Sequence, residues 1–273
     1  MAKFLLVLVL VFYGAGRVSA QTDMIVGDMN HDGHITIEDV TLLASTLLGE
    51  RDIEHQVYLD SDAHECVDLG LPSGTLWATC NVGANSPEEF GDYFAWGEVK
   101  PKRNYSWAQY KWMKEGYTSI KGCSEYTFAD GNTSACWYEN GEYIGKNNKI
   151  LEPVDDAAYM NWGVAWRMPS PAQIEELCDS RYTTSKWTKQ NNVEGRLVTS
   201  KINGATLFLP AAGYYGGTTL YNNGGSYWTL SLGDYGSYSA FLLDFGVSAM
   251  GKNDASRSYG YPVRAVRPKS NAE

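Results

Sequence analysis

The sequence predicts an α+β fold in which short antiparallel strands and loops predominate and helices are few. From about residue 66 onward, the chain is rich in Gly, Tyr, Trp, Ser and Asn, and its apolar runs are short and separated by turn residues. A helical bundle or a parallel sheet would show longer and more regular apolar segments. With 44% apolar residues in a chain of 273, there are enough apolar side chains for a substantial core.

Two helices are predicted within this β-rich part. Residues 155–162 have the composition of a short helix. A second helix is expected to begin after Ser170, because Ser170 and Gln173 form a capping box and Pro171 suits the first helical position. This helix should end near Cys178.

Strand signals are clearest later in the chain. The segments 197–202 and 205–209 flank Asn203-Gly204, a dipeptide that favours a tight hairpin turn. Further strands are predicted over residues 226–230, 239–245 and 262–267.

The first twenty residues have the features of an export signal. Lys3 precedes an uninterrupted apolar run over residues 4–13, and Val18-Ser19-Ala20 supplies the small residues of a cleavage site. A bilayer-spanning helix needs about 20 residues, so this shorter run indicates a removable signal peptide over residues 1–20. We therefore expect an extracytoplasmic mature protein, secreted, periplasmic or at the cell surface, without membrane insertion.

The charge balance argues against a nucleic-acid partner. The chain has 22 basic and 32 acidic residues, and loss of Lys3 and Arg17 with the signal peptide changes this to 20 against 32. Binding to phosphate backbones depends on clustered Lys and Arg, which this sequence lacks. The surplus of carboxylates suits solubility and cation binding instead.

The five cysteines are an odd number for a compartment that favours disulfides. At least one must therefore be unpaired or bonded elsewhere. Cys123 with Cys136, and Cys66 with Cys80, are the pairs most worth testing. The alternative is that the cysteines are small buried apolar residues. No CxxC pair occurs, so a zinc ribbon is not indicated.

Residues 28–39 match a calcium-binding loop. Oxygen-bearing side chains stand at loop positions one, three, five, nine and twelve, position seven offers a backbone carbonyl, and Gly33 at position six permits the sharp turn. The predicted Ca²⁺ ligands are Asp28, Asn30, Asp32, His34, Thr36 and Asp39. An amphipathic helix is expected to follow the loop, with apolar positions at Ile37, Val40, Leu43, Ala44, Leu47 and Leu48.

The loop and its following helix resemble one type I dockerin repeat over residues 24–49. This family has the same GDxNxDG loop and lacks the entering helix of a true EF-hand. A complete dockerin uses two repeats to bind cohesin, and no second loop occurs before residue 66. Cohesin docking is therefore not expected, and residues 50–65 are interpreted as a polar linker.

The large domain carries a series of sequence landmarks over residues 66–268. They are VDLGLPSGTLWATCNVGA at 67–84, GDYFAWGE at 91–98, DDAA at 155–158, WRMP at 166–169, FLPAAGY at 208–214, YW at 227–228 and VRAVRP at 263–268. In this order they resemble the Fibrobacter succinogenes major paralogous domain. The resemblance implies a C-type-lectin-like fold, shared with formylglycine-generating enzymes and with variable proteins of diversity-generating retroelements. Such folds host both catalysis and binding, so function depends on the site.

The segment 213–261 has the composition of a binding surface. Tyr and Trp offer large rigid contact faces, and Ser, Asn and Gly supply adaptable hydrogen bonding. The predicted ligand-binding residues are Tyr214, Tyr215, Tyr221, Asn222, Asn223, Tyr227, Trp228, Asp234, Tyr235, Tyr238 and Tyr259. The alternative is that alternating aromatic residues fill the core of the β part.

Catalytic signals in the large domain are weak. All four histidines precede residue 66, and no cysteine follows Cys178, where a formylglycine-generating enzyme needs its thiols. Carboxylates such as Glu88, Glu89, Glu98, Asp155 and Asp156 occur in turns and at helix starts, where caps and solvated faces are the usual roles. The calcium-dependent sugar motifs of C-type lectins, EPN or QPD with WND, are also absent.

The function expected from the sequence is recognition of a glycan or protein ligand by an exported binding protein. Two alternatives remain open at this point: an extracytoplasmic enzyme, either a carboxylate-based hydrolase or a formylglycine-generating type of oxidase, and an assembly component that docks through its calcium unit.

Overall fold

The computed structural model describes residues 64–269, and these form a β-rich α+β domain. Its strands are β1 (Cys66–Asp68), β2 (Thr75–Ala78), β3 (Tyr138–Glu139), β4 (Glu142–Tyr143), β5 (Thr183–Gln190), β6 (Val193–Ser200), β7 (Thr206–Pro210), β8 (Tyr214–Gly216), β9 (Thr219–Tyr221), β10 (Gly225–Leu232), β11 (Ser239–Phe245), β12 (Met250–Ser256) and β13 (Val266–Pro268). The α-helices are α1 (Ala157–Trp162) and α2 (Pro171–Cys178). Short 3₁₀ helices occupy Trp107–Gln109, Ile120–Gly122 and Pro153–Asp155.

All the strand pairs are antiparallel. Three three-stranded sheets have the orders β1-β2-β13, β5-β6-β7 and β10-β11-β12, and two hairpins are formed by β3-β4 and β8-β9. The predicted fold class, α+β with loop-rich antiparallel strands and few short helices, is confirmed at this level. Within residues 64–269, no helix is long and apolar enough to cross a membrane.

Both predicted helices are present, with the caps that their sequences indicate. The Ser170 hydroxyl accepts from the Gln173 N–H at 3.2 Å, and the Gln173 side chain accepts from the Ser170 N–H at 2.8 Å. Asp156 caps α1, and its carboxylate accepts from the N–H groups of Ala158 at 2.8 Å and Tyr159 at 3.2 Å. The predicted start at residue 155 is therefore two residues early, because a capping residue lies outside the helix.

The strand predictions were most accurate where apolar residues cluster. β11 has the predicted bounds, and β10 is longer than expected at both ends. β5 and β12 were not predicted, because TTSKWTKQ and MGKNDAS are too polar to show apolar alternation. The segment predicted as a strand over residues 262–267 is wrong in its first part, since β13 begins only at Val266.

The domain core has three clusters of buried apolar residues. The first contains Trp96, Trp166 and Trp228, and the second contains Trp77 and Tyr227. β10 lies between these two clusters, since the Tyr227 side chain packs in the second cluster and the neighbouring Trp228 side chain packs in the first. The third cluster, which contains Tyr105 and Tyr110, lies under the loop-rich segment 105–143.

Candidate functional site

A cleft of about 540 Å³ opens on the domain surface between three segments of the chain. One wall is formed by residues 105–108 together with Thr118, the second by the β8–β9 hairpin, and the third by residues 258–259. The segments come from distant parts of the sequence, so the cleft exists only in the folded domain.

The wall at residues 105–108 is fixed to the hairpin by the backbone. The Tyr105 N–H donates to the Gly217 carbonyl at 2.7 Å, and the Gly217 N–H donates back at 3.2 Å. The Tyr105 side chain is buried, and its hydroxyl donates to the Tyr93 carbonyl at 2.5 Å. Trp107 follows at the start of the first 3₁₀ helix. This wall is therefore held by both its backbone and an inward-facing tyrosine.

The β8–β9 hairpin directs its two adjacent tyrosines to opposite sides. Tyr214 pairs with Tyr221 and lines the cleft, whereas Tyr215 pairs with Leu220. The Tyr215 ring packs on Tyr105 with centroids 5.6 Å apart and an interplanar angle of 26°. Successive residues of a strand point to opposite faces. Tyr215 therefore packs behind the hairpin against Tyr105, whereas Tyr214 forms part of the cleft surface.

Tyr214 is the centre of a stack of tyrosine rings. Its centroid lies 5.1 Å from that of Tyr221, 5.5 Å from that of Tyr259 and 5.0 Å from that of Tyr261, with interplanar angles of 19°, 26° and 28°. Tyr261 is buried in the first core cluster, whereas Tyr221 is 47% exposed. The stack thus runs from the core to a half-exposed ring at the cleft.

The cleft combines these rings with unpaired hydroxyl groups. Among the residues that the structure describes, the side-chain hydroxyls of Ser106, Thr118, Tyr214, Tyr221 and Tyr259 make no hydrogen bond. Ser106 caps the first 3₁₀ helix by position, but its side chain makes no capping bond. Burial raises the pKa of Tyr214, and it raises the pKa of Tyr105 to about 12. Both phenols are therefore neutral at physiological pH.

The structure brings together only part of the ligand face predicted from sequence. Tyr214, Tyr221 and Tyr259 line the cleft, and the exposed Asn222 and Asn223 follow directly after Tyr221. Tyr215 and Tyr238 are only partly exposed, and neither lines the cleft.

Two predicted ligand contacts are wrong, because Tyr227 and Trp228 are core residues. Tyr227 is 1% exposed and Trp228 is 0% exposed. Their polar atoms are also used internally, since the Tyr227 hydroxyl donates to the Pro210 carbonyl at 2.7 Å and Trp228 Nε1 donates to the Phe94 carbonyl at 2.8 Å. Their location in β10, between two core clusters, explains the burial of both neighbours.

The predicted ligand-binding residues do not all lie at one end of β10. Asp234 and Tyr235 are exposed, but they follow the last residue of β10, whereas Asn222 and Asn223 precede its first residue. A strand of this length separates its ends by about 23 Å. Asp234 and Tyr235 therefore lie apart from the end of β10 that carries the hairpin.

Sequence reasoning missed the wall formed by Tyr105, Ser106, Trp107 and Thr118. The dense aromatic residues between positions 105 and 112 were a signal of packing, but no local pattern connects this segment to β8 and β9. The connection is a pair of backbone hydrogen bonds across more than a hundred residues.

The carboxylates considered for catalysis are engaged elsewhere. Glu98 forms an ion pair with Lys102 at 2.7 Å, and Asp155 accepts from the Tyr126 hydroxyl at 2.6 Å. Asp156 is buried and caps the N-terminus of α1, and Glu88 accepts from the Gln190 side chain at 2.7 Å. None of these residues, nor Glu89, lines the cleft.

All five cysteines are free thiols in the structure. Cys123 and Cys136 are both buried, and Cys136 Sγ donates to the Cys123 carbonyl at 3.1 Å. Burial raises the pKa of Cys123 to about 11 and that of Cys178 to about 12. For Cys123 and Cys136, these features favour small buried residues over a disulfide, whereas Cys66 and Cys80 are half-buried free thiols.

The predicted calcium ligands lie outside the described residues, as do the predicted signal peptide and nearly all of the predicted linker. Within residues 64–269, no group of three or more His, Cys, Asp or Glu side chains is arranged to hold a metal ion. Comparison of the chain with protein-family models, curated proteins and solved structures gave no match. The site must therefore be interpreted from its own chemistry.

Proposed function

We propose that this chain is an exported binding protein that holds a carbohydrate in the tyrosine-lined cleft. The observation that carries the proposal is the stack centred on Tyr214, which ends in the half-exposed ring of Tyr221 beside several unpaired hydroxyls. A sugar ring has an apolar face of C–H groups and a rim of hydroxyls. Tyrosine matches both, since it offers a flat apolar surface and a polar end.

The dimensions of the cleft favour a glycan over a protein ligand. A volume of about 540 Å³ lies in the range of small-ligand sites, which are generally between about 300 and 1,000 Å³. A stable protein–protein interface instead buries about 800 Å² on each partner. Recognition of a protein ligand is therefore the alternative that a binding experiment must distinguish from recognition of a glycan.

The lining also favours binding over catalysis. It includes no carboxylate, histidine or cysteine among residues 64–269. Glycoside hydrolysis generally uses a pair of carboxylates, and a thiol oxidase needs cysteines. The two enzyme alternatives therefore have no support at this cleft.

The remaining expectations from the sequence complete the proposal. The large domain is proposed to have a C-type-lectin-like fold, for which the landmarks over residues 66–268 are the support. The predicted loop over residues 28–39 would bind Ca²⁺ and order its own segment, because a hard cation draws several oxygen ligands together. A single repeat offers a poor basis for docking to cohesin, so assembly through this unit is not part of the proposal.

The test is a combined glycan and protein array probed with the purified mature chain, from residue 21 onward. Binding to glycans is expected, and Tyr221→Ala and Trp107→Ala should each weaken it about tenfold or more, since each removes an aromatic contact face. Tyr235→Ala is the matched control, because Tyr235 is 78% exposed but lies at the other end of β10.

Glycan binding that survives both cleft substitutions would place the site elsewhere. Binding to proteins alone would favour the competing ligand class. Turnover of a bound glycan by the pure protein would revive the hydrolase alternative.

A further inference from the structure

The cleft has a distinctive chemical property, because no formally charged side chain among residues 64–269 lines it. Its polar groups are hydroxyls, the indole N–H of Trp107 and backbone atoms, and the rest of its surface is aromatic rings, Ala108 and glycine. We propose that the cleft selects uncharged sugar chains and rejects acidic and basic ones. This inference rests on the proposed function and specifies the class of ligand.

An acidic sugar would find no cation in the cleft. Carboxylates and sulfates are held in proteins mainly by Arg and Lys through charge-assisted hydrogen bonds. Lys102 is close in sequence to the first wall, but its ammonium group already contacts Glu98 Oε1 at 2.7 Å and the Gln109 carbonyl at 2.9 Å. Desolvating an unpaired anion against the tyrosine rings would be unfavourable.

A basic sugar would find no carboxylate among the described lining residues, and the stacked tyrosines do not form a cage around a cation. Cations are attracted to the faces of aromatic rings, and a cage needs several faces directed at one point. Here the rings of Tyr214, Tyr221 and Tyr259 are stacked close to parallel, with interplanar angles of 19° and 26° to Tyr214. Stacked rings cover one another's faces, so this arrangement favours extension of the stack by a flat neutral ring.

The unpaired hydroxyls suit a neutral sugar for a second reason. A hydroxyl both donates and accepts, so the side chains of Ser106 and Thr118 can pair with sugar hydroxyls in either direction. The phenols remain protonated at neutral pH, since burial raises the pKa of Tyr214. The cleft thus offers matched hydrogen bonding without any charge.

Gly217 provides a way to block the cleft without disturbing the stack. It lines the cleft with φ at +59°, and a Cβ built there meets no atom within 4 Å. Asn tolerates this left-handed conformation better than most residues. Gly217→Asn should therefore fold with modest backbone strain, and it adds a side chain to open space at a residue that lines the cleft.

The experiment compares neutral and charged forms of the same sugar backbones. The pairs are hydroxyethylcellulose with carboxymethylcellulose, dextran with dextran sulfate, and chitohexaose with its deacetylated form. Affinity electrophoresis and calorimetry with the mature chain, in about 150 mM NaCl to screen surface charge, give the affinities. For each backbone that binds, the neutral form should bind at least about tenfold more tightly than the charged form, and Gly217→Asn should abolish the binding.

The variant Ser106→Lys tests the cause of the selectivity. A cation on the cleft wall should raise the affinity for carboxymethylcellulose and dextran sulfate relative to their neutral forms. An unchanged ratio would show that the uncharged lining does not determine selectivity. If the native chain bound the charged forms as tightly as the neutral forms or more tightly, and Gly217→Asn lost this binding, the inference of charge selectivity would be overturned. The carbohydrate site itself would still be supported. Failure of every sugar on the array, neutral or charged, would overturn the proposed function itself.

Discussion

Arg257 Nε donates a hydrogen bond to the Tyr110 hydroxyl at 2.9 Å in a part of the core from which solvent is excluded. The same guanidinium donates to the carbonyls of Tyr126 at 2.9 Å, Ser237 at 2.7 Å and Glu125 at 3.0 Å. It also lies 4.8 Å from the centroid of the Trp96 ring. One buried cation therefore connects the loop-rich segment 110–126 to the turn that precedes β11.

Arg257→Lys should destabilise the large domain by about 3 kcal/mol or more, because removal of hydrogen bonds around a buried charge leaves partners unpaired. An ammonium group cannot reproduce the planar set of donors that reaches four separate acceptors. Urea denaturation of the mature chain, followed by tryptophan fluorescence, measures the change. Arg181→Lys is the control, since Arg181 is exposed and its ion pair with Asp179 lies at the surface. Equal stability of the two variants would show that the buried network adds little.

Asp156→Ala should destabilise the domain by about 1 to 3 kcal/mol, because this carboxylate caps α1 and also accepts from the Met168 N–H at 2.9 Å. Asp156→Asn retains an oxygen acceptor and should therefore cost less. The comparison uses denaturation curves at pH 7, with Asp234→Ala as the exposed control. A larger loss in the Asn variant than in the Ala variant would contradict the proposed capping role.

Asp156 should also make the stability depend on pH. Burial raises its pKa above the ordinary value of 3.8, so the folded state binds the proton more tightly than the unfolded state. The free energy of unfolding that this group contributes is therefore greatest below its ordinary pKa and falls as the pH rises through the raised pKa of the folded state. Relative to Asp156→Asn, the native chain should lose stability over this interval. A constant difference between pH 3 and pH 8 would contradict the raised pKa.

The sequence predicted best those features that depend on neighbouring residues. The capping box of Ser170 and Gln173 was predicted because its residues are three positions apart, and β11 was predicted because SAFLLDF is strongly apolar. Tyr227 and Trp228 were wrongly assigned to the ligand face, because aromatic residues are common both in cores and in binding surfaces. Their burial follows from the position of β10 between two core clusters, which the local sequence does not show. The cleft depends on the pairing of Tyr105 with Gly217, which no local pattern records.

Cys123 should react slowly with iodoacetamide in the native chain. It is buried, and a pKa of about 11 leaves only about 0.1% thiolate at pH 8, whereas the thiolate is the reactive form. Peptide mapping by mass spectrometry before and after unfolding in urea, without reductant, measures the difference. Labelling of Cys123 and Cys136 only after unfolding would support two buried thiols. If both cysteines stayed unlabelled in the unfolded chain, and the peptides containing them had a combined mass two hydrogen atoms below that of the thiol forms, the result would show the disulfide instead.

Calcium should bind to the predicted loop over residues 28–39 and leave the large domain independent of it. Asp28→Ala and Asp39→Ala each remove a charged ligand from a site that needs several oxygens, so each should greatly reduce calcium affinity in calorimetry of the mature chain. Asp234→Ala, in an exposed turn of the large domain, is the control. Chelation should increase hydrogen exchange in residues 28–48, while the thermal transition of the large domain keeps its midpoint, because the described part of the chain has three apolar clusters of its own within residues 66–266. A fall in that midpoint on chelation, absent in Asp28→Ala, would show that calcium binding and the stability of the large domain are coupled.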